Sequence, residues 1–376
     1  LGDMARQLPL LSVVIVTYNS AEHITACLRS LWRASYPRLE VLVVDNNSTD
    51  QTAAAVAAFQ RSVSGGADSG RPASAVSVRT ATTLSWLPQR HNRGFAGGCN
   101  HGIARARAQQ VLVLNPDTVV APDFAQPLVR AMLADDQLAA CQPSVYLLDE
   151  RRRLNLTGKE TQYLGLDWIR DYRAPAGRAK RAGKKLVSVS GSGVLLRKTM
   201  FDRVGGFDDA YFMYYEDTDL SWRLRLAGYR LRFVPASRLY HAYRYRPTAD
   251  SASLTFNDKL YWAERNRWLT ILKNYRARTL LLVLPMLLVW ETALLGYALS
   301  TGWLGRKLAA YQAVWALRRH LVGQRRQVAG WRVVPDRQIV SQMATRITFS
   351  EFQHPVVKRL INPLAAAYYQ VLIKLV

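Results

Sequence analysis

The chain has 376 residues, enough for one large domain or two modest ones with a substantial core. Its formal net charge at pH 7 is +24, and more than half of that excess falls in residues 241–376, where basic residues alternate with long apolar runs. That mixture favours an anionic membrane surface over nucleic acid, for which no helix-turn-helix, zinc-finger or aromatic-platform pattern is present. The scattered cysteines Cys27, Cys99 and Cys141 exclude a disulfide scaffold and a Cys-x-x-Cys zinc site, and fit a reducing compartment as small buried hydrophobes. No basic stretch followed by a long apolar run and a cleavage site opens the chain, so a secretory signal is not expected.

The first apolar, β-branched run, Leu11 to Asn19, reads as a central parallel strand, with Ser20 as the cap of a helix burying Ile24, Cys27, Leu28 and Leu31. A second strand, Leu39–Asp45, meets the turn Asn46–Asp50, and a helix follows over Ala53–Phe59. This is the start of a doubly wound α/β fold, in which ligands collect beyond the carboxyl ends of the strands, where Thr17, Tyr18, Asn19, Asp45 and Asn47 fall. There is no Gly-x-Gly-x-x-Gly after the first strand and no Gly-Lys-Ser/Thr loop, which disfavours dinucleotide and P-loop sites. Residues 61–75 read as a flexible excursion, with a strand resuming near Val76 and running into Leu84. Asn92–Gly102 is glycine-rich and precedes a helical pattern over Ile103–Ala108. Arg93 there either meets a diphosphate or decorates a surface turn.

Val111–Asp117 is a buried strand ending in Asn115-Pro116-Asp117, followed by a helix over Pro122–Leu133 and a strand over Cys141–Leu148. Residues 150–187 are irregular and basic, either an extended loop over the site or a solvated face. Val187–Leu196 is strand-like around Ser190-Gly191-Ser192-Gly193, where small residues admit a close approach. A short helix over Lys198–Val204 stops at Gly205-Gly206; a helix over Asp219–Ala227 stops at Gly228; a strand over Tyr229–Val234 stops at Pro235. Residues 255–278 form an amphipathic basic helix. Leu280–Ser300 is long enough to span a membrane but is interrupted by Pro285 and Glu291, so it is a kinked or re-entrant segment or a helix lying in the interface or in protein. Residues 304–334 continue as basic helix, and Pro363–Val376 offers Tyr368, Tyr369, Leu372 and Ile373 for docking or lipid contact.

Tyr215-Glu216-Asp217-Thr218-Asp219-Leu220 places three carboxylates within four residues at a helix start. With Asp117 at a strand end and His241 after a later strand, distant residues supply the makings of one metal and acid–base site, so the chain reads as an enzyme.

Six motifs in order resemble the family 2 glycosyltransferases with the GT-A fold, nearest to bacterial rhamnosyltransferases of cell-surface polysaccharide assembly. They are Ser12–Asn19, Val43–Asp50, Asn92–Gly98, Leu114–Asp117, Gly205–Asp208 and Tyr215–Leu220, and the resemblance covers about residues 10–245. It implies an α/β GT-A nucleotide-diphospho-sugar transferase fold, a Rossmann-like mixed sheet flanked by helices, over residues 1–245. A helical, membrane-associated region follows over 246–376. By the same resemblance, Thr17, Tyr18 and Asn19 line the base and ribose of the donor, Asp45 bonds the base, and Arg93 with Gly94 meets the donor. Asn115 and Asp117 occupy the place of an acid-x-acid motif, with Asp117 binding Mg²⁺ or Mn²⁺ at the donor diphosphate and His241 as a further metal ligand. Asn115 departs from that motif because an amide brings no charge to a hard cation. Asp217 is implied as the catalytic base and Glu216 as the residue that orients it or holds the acceptor. Asp219 is a rival base or a helix-start acid satisfied by backbone donors. The implied reaction is an inverting displacement from a nucleotide-sugar, with dTDP-rhamnose the first choice, to a saccharide on a polyprenyl diphosphate. The implied place is the cytoplasmic face of a bacterial plasma membrane, peripheral or re-entrant, with the oligomeric state left open. A binding module without turnover and a membrane-surface interaction protein are the other readings.

Overall fold

The computed structural model describes residues 8–64, 81–181, 183, 185–243, 256–348 and 354–376. Most of the expected excursion over 61–75, the strand start near Val76, Lys184 and the beginning of the basic helix at 255 lie outside the described residues.

Leu11–Thr17 forms β1, buried along its whole length, and Ala21–Trp32 forms α1. Ser20 precedes α1 but makes no side-chain cap. The Ala21 N–H donates instead to Asp50 Oδ2 at 3.0 Å, so a carboxylate from the next turn closes the helix start. Arg38–Asp45 is β2, Thr52–Ser64 is α2 and Ala81–Pro88 is β3. The glycine-rich stretch is itself the helix α3, Gly94–Arg105, rather than a turn before one. Its glycines allow close packing on β1: a Cβ at Gly98 would lie 2.6 Å from Val16 Cγ1, and one at Gly102 would lie 2.4 Å from Val14 Cγ1.

Gln110–Leu114 is β4, Thr118–Val120 is β5, Ala125–Leu133 is α4 and Leu138–Leu147 is β6. The basic stretch over 150–187 is more ordered than expected. It holds β7 (Leu154–Leu156), the hairpin of β8 (Lys159–Thr161) with β9 (Asp167–Ile169), and the helical turn α5 (Arg178–Arg181). Gly193–Arg197 is β10, Lys198–Arg203 is α6, and Glu216–Leu226 is α7. Arg230–His241 is β11, which continues past Pro235 because a register shift between Val234 and Arg238 absorbs the proline.

The main sheet runs β3-β2-β1-β4-β10-β6-β11-β5, with β7 beside β6. Strands β1 to β4 pair in parallel, β10 runs antiparallel to β4 and β6, and β5 runs antiparallel to β11. Alternate residues of β1 serve opposite faces: Val13 and Ile15 pack with α1 and α4, and Val14 and Val16 pack with α3 and α7.

The tail comprises α8 (Phe256–Asn274), α9 (Ala277–Ser300), α10 (Leu304–Ala316), α11 (Arg318–Trp331), α12 (Asp336–Val340) and α13 (Asn362–Leu375). It shares a core with the sheet domain, in which Tyr163 and Trp222 pack with Ile271, Val283, Trp290 and Tyr369. The α9 helix is long and apolar enough to cross a membrane, but a third of its apolar window is buried in protein. Its Glu291 is paired with Arg267 of α8 and Lys307 of α10, and Lys307 also reaches Glu264 at 2.8 Å. The acid that interrupts the apolar run therefore belongs to a buried ion network.

Candidate active site

The parallel register of β1 and β2 places Thr17 opposite Asp45, at the carboxyl ends where a switch-point ligand binds. Thr17 Oγ1 donates to Asp45 Oδ1 at 3.0 Å, and the Ser48 hydroxyl and N–H donate to the two Asp45 oxygens at 2.5 and 3.1 Å. Tyr18, 50 % exposed, and Asn19 in the left-handed region at φ 50° stand at the open edge beside this carboxylate. Arg93 pairs with Asp209 at 2.8 Å, and Asp209 also accepts from Asn100 Nδ2 at 2.6 Å. Gly94 has φ +69° and lies so close to the Phe212 carbonyl that a Cβ would be 2.3 Å from its oxygen, which fixes α3 against the approach to α7.

At the far side of β4, Asp117 and His241 meet because β5 and β11 pair with Thr118 opposite His241. His241 Nε2 lies 3.1 Å from Asp117 Oδ1 and 3.3 Å from Asn115 Nδ2. His241 Nδ1 lies 3.0 Å from Asn155 Oδ1, so the Nδ1–H donates to that carbonyl and Nε2 turns toward Asp117. Burial would raise the Asp117 carboxyl, but His241 and the local hydrogen bonds hold it below the ordinary carboxylate value. Its Oδ1, although buried and within ion-pair distance of His241, has no hydrogen bond of good geometry. An anionic oxygen with spare lone pairs beside an imidazole nitrogen and an amide is a donor set that fits a hard divalent cation sharing its shell with phosphate oxygens. Among the described residues, no group of three His, Cys, Asp or Glu surrounds a metal position. Any cation here therefore takes most of its ligands from elsewhere.

The helix α7 begins at Glu216, earlier than its apolar pattern suggests. Phe212, Tyr214 and Tyr215 all have positive φ, at 62, 64 and 68°, each costing about 1–3 kcal/mol. Asn266 of α8 holds this turn, with Nδ2 facing the carbonyls of Tyr211, Met213 and Tyr214 at 2.9, 2.7 and 2.8 Å. The three carboxylates that follow have different environments. Glu216 is buried, its Oε2 has no hydrogen-bond partner, and burial followed by the nearby Asp217 charge pushes it up to about 8. Asp217 is 7 % exposed; its Oδ1 accepts from Lys159 Nζ at 2.8 Å and from Thr218 N–H at 2.7 Å, while Oδ2 accepts from Gly191 N–H at 2.9 Å. Asp219 is wholly buried and is bound by Arg223 at 2.7 Å, Lys273 at 2.9 Å and Asn274 at 2.8 Å. Side-chain cations, rather than backbone donors alone, satisfy it.

Lys159, Asp167 and Asn155 were not legible as site residues. Lys159 sits on β8 between Asp217 and Asp167, contacting both, and those two carboxylates raise its ammonium well above the ordinary value although burial opposes them. Burial drives Asp167 up to about 6, against the attraction of Lys159. The glycine of Leu164-Gly165 is the sequence signal for the turn of this hairpin. One loop joins the two halves of the site. The Asn115 N–H donates to Ser192 O at 3.3 Å and the Gly191 N–H donates to Asp217, while Gln142 braces the loop through Ser190 N–H and Gly193 O.

The fold is matched by solved structures. One is GalNAc-T7 with UDP, GalNAc and Mn²⁺, at TM-score 0.56 and 15 % identity, covering 74 % of this chain and 51 % of that one. Another is Staphylococcus aureus TarS 1–349 with UDP-GlcNAc, at TM-score 0.50 and 18 % identity, covering 92 % and 95 %. This chain thus spans about half of the GalNAc-T7 chain. Among curated proteins, it is 29 % identical over 265 residues to the N-acetylglucosaminyl-diphospho-decaprenol L-rhamnosyltransferase of Mycobacterium tuberculosis, covering 65 % of this chain and 80 % of the relative. It is 24 % identical over 265 residues to the probable glycosyltransferase YdaM of Bacillus subtilis, covering 70 % and 55 %. The family model described as glycosyltransferase like family 2 matches residues 9–269 and so takes in both halves of the site. The chain belongs to glycosyltransferase family 2 and has the GT-A fold.

Proposed function

We propose that this glycosyltransferase inverts the anomeric centre of a nucleotide-sugar as it transfers the sugar to a saccharide carried on a polyprenyl diphosphate. The first choice of donor is dTDP-rhamnose. The observation that carries this reading is the shared loop: Ser190–Gly193 bonds Asn115, beside the Asp117–His241 pair, and also Asp217, so one loop links a group able to hold a cation to the carboxylate proposed as base. The M. tuberculosis relative, whose name specifies a rhamnosyl transfer to N-acetylglucosaminyl-diphospho-decaprenol, supports the choice of sugar and acceptor.

In this reading Thr17, Tyr18, Asn19 and Asp45 take the nucleoside, and Arg93 and Gly94 border the donor. Mg²⁺ or Mn²⁺, held by Asp117 and His241 with Asn115 alongside, supplies positive charge for the departing diphosphate. Asp217 accepts the acceptor hydroxyl proton at Oδ2. The hydroxyl oxygen bonds to the anomeric carbon as the carbon–oxygen bond to the nucleoside diphosphate breaks, and that leaving group departs with the electron pair. Glu216, its carboxyl raised to about 8 by burial and then by the Asp217 charge, orients Asp217 or holds the acceptor. Residues 1–245 are the catalytic unit and 246–376 the membrane-associated region at the cytoplasmic face of a bacterial plasma membrane. The exposed side chains Leu281, Leu284, Leu288 and Leu299 form an apolar stripe on α9, flanked by Arg276 and Arg278, and suit an anionic membrane surface.

The test is a screen of nucleotide-sugars, dTDP-rhamnose among them, with an N-acetylglucosaminyl-diphospho-polyprenol acceptor, with and without a chelator. The expected product has an inverted anomeric centre and forms only with divalent cation. Retention of configuration, or undiminished transfer by Asp217→Asn, would refute this mechanism.

A further inference from the structure

A charged cavity lies at the opposite end of β11 from His241. It has a volume of about 870 Å³ and is lined by Arg225, Lys185, Arg230, Arg232, Gln338 and Gln342, with no acidic residue in its wall among the described residues. Arg232 and His241 pair with Cys141 and Leu147 of β6, six residues apart and so about 20 Å at the usual rise, which sets this cavity apart from the donor site. Its charges are unbalanced. Arg230 and Arg232 share a single carboxylate, Asp135, at 2.5 and 2.7 Å. Lys185 is exposed at the rim, set there by a backbone bridge between Lys185 and Arg232.

Arg225 is the unusual member. It is only 9 % exposed, it donates through Nη1 to Leu186 O at 2.6 Å, and its Nε–H has no partner. Burial lowers its guanidinium to about 10, and among the described residues no carboxylate opposes that. A buried cation without a counter-ion is costly, and proteins that retain one commonly place an anion against it. Guanidinium groups favour anions with several oxygens, above all phosphates. The two glutamine amides, from α12 and the residues just after it, add uncharged donors on the tail side, so an occupant would bridge the sheet and the tail.

We infer that this cavity is a second anion site, distinct from the donor site, which takes a phosphate-bearing ligand between Arg225, Lys185, Arg232 and the tail. Two sources share that chemistry, a phospholipid headgroup and a soluble phosphate or diphosphate.

The full-length chain is titrated at low salt, in EDTA and in the Asp117→Ala background, so that binding at the donor diphosphate position is suppressed. Inorganic pyrophosphate is followed by calorimetry and thermal melting, and vesicles of phosphatidylglycerol against phosphatidylcholine by sedimentation. The expected result is saturable binding of one probe, weakened at least about tenfold by Arg225→Met and less by Lys185→Ala. Binding of pyrophosphate identifies a soluble ligand, and a headgroup is identified when only phosphatidylglycerol responds to both substitutions. Should Arg225→Met fail to fold, the double substitution Lys185→Ala with Arg232→Gln takes its place. No saturable binding of either probe, or binding that neither variant set changes, overturns the inference.

Discussion

Replacing Lys159 with methionine should disable the proposed base while leaving donor binding in place. Lys159 Nζ lies 2.8 Å from Asp217 Oδ1 and 3.0 Å from Thr218 Oγ1, and it also contacts Asp167. Removing one partner of a buried ion pair costs about 3–5 kcal/mol, because the other charge remains desolvated. Here two carboxylates lose the same cation and would be left facing each other, so one of them takes up a proton. If about 3 kcal/mol of that cost falls on Asp217, the acid limb of the kcat/KM profile moves up by about two pH units, at 1.36 kcal/mol per unit. The expected loss grows as pH falls through the displaced limb, toward about a hundredfold in kcat below it, with the donor KM nearly unchanged. The assay is sugar transfer across pH, alongside a melting curve that verifies folding. Asp167→Asn is the control: it leaves Lys159 on Asp217, so its profile should stay near that of the native enzyme. A folded Lys159→Met enzyme with an unshifted acid limb and a rate within about twofold of native would refute the reasoning.

Glu216→Gln should retain transfer and flatten the dependence of stability on pH. The carboxyl is raised from 4.5 to about 8 in the folded chain, so between those values the folded state binds more protons and native stability falls as pH rises; melting temperatures at pH values across that window, native against variant, check the sign. Asp117→Ala and His241→Ala should each weaken Mn²⁺ affinity by about tenfold or more, measured by calorimetry in the presence of nucleoside diphosphate, and unchanged affinity would remove the pair from the metal site. Leu284→Asp with Leu288→Asp should reduce sedimentation with anionic vesicles several-fold without changing transfer to a soluble acceptor analogue. These substitutions are a cleaner probe than removal of residues 279–376, which would strip Val283, Trp290 and Tyr369 from a core that includes Tyr163 and Trp222.

The sheet was legible because its strands are continuous β-branched runs closed by polar residues, as Leu11–Thr17 and Arg38–Asp45 are, and local pattern is strong there. The helical nature of the glycine-rich stretch was not, since glycine disfavours helix and only the contact of Gly98 and Gly102 with Val16 and Val14 explains their presence. Nor did local pattern show that β11 survives Pro235, which depends on a bulge against β6. Of the site, Asp117 and His241 could be named from the resemblance, but their meeting needs the β5–β11 pairing, a contact between segments more than a hundred residues apart. Lys159 was hidden for a related reason: a lysine in a basic, irregular stretch looks solvated until the fold buries it between two aspartates.

Three carboxylates crowded at one helix start would repel one another, and the helix dipole alone offers about 0.3–1 kcal/mol against that. The fold separates them by partner: Glu216 keeps its proton, Asp217 takes Lys159, and Asp219 takes Arg223 and Lys273. Lys273 also binds Asp208 at 2.7 Å, and His320 of α11 meets the same Asp208 at 2.9 Å, so Asp219 belongs to the seam that docks the tail behind the site. Burial would raise the Asp219 carboxyl, yet Arg223 and Lys273 hold it below the ordinary value, so its charge contributes stability at neutral pH that is lost as the medium is acidified. Asp219→Asn should therefore lower stability by about 3–5 kcal/mol, read from denaturant unfolding, while the folded fraction transfers sugar at a rate within a few-fold of native. The opposite pair of results, undiminished stability with transfer abolished, would make Asp219 the base and leave Asp217 as the counter-ion of Lys159.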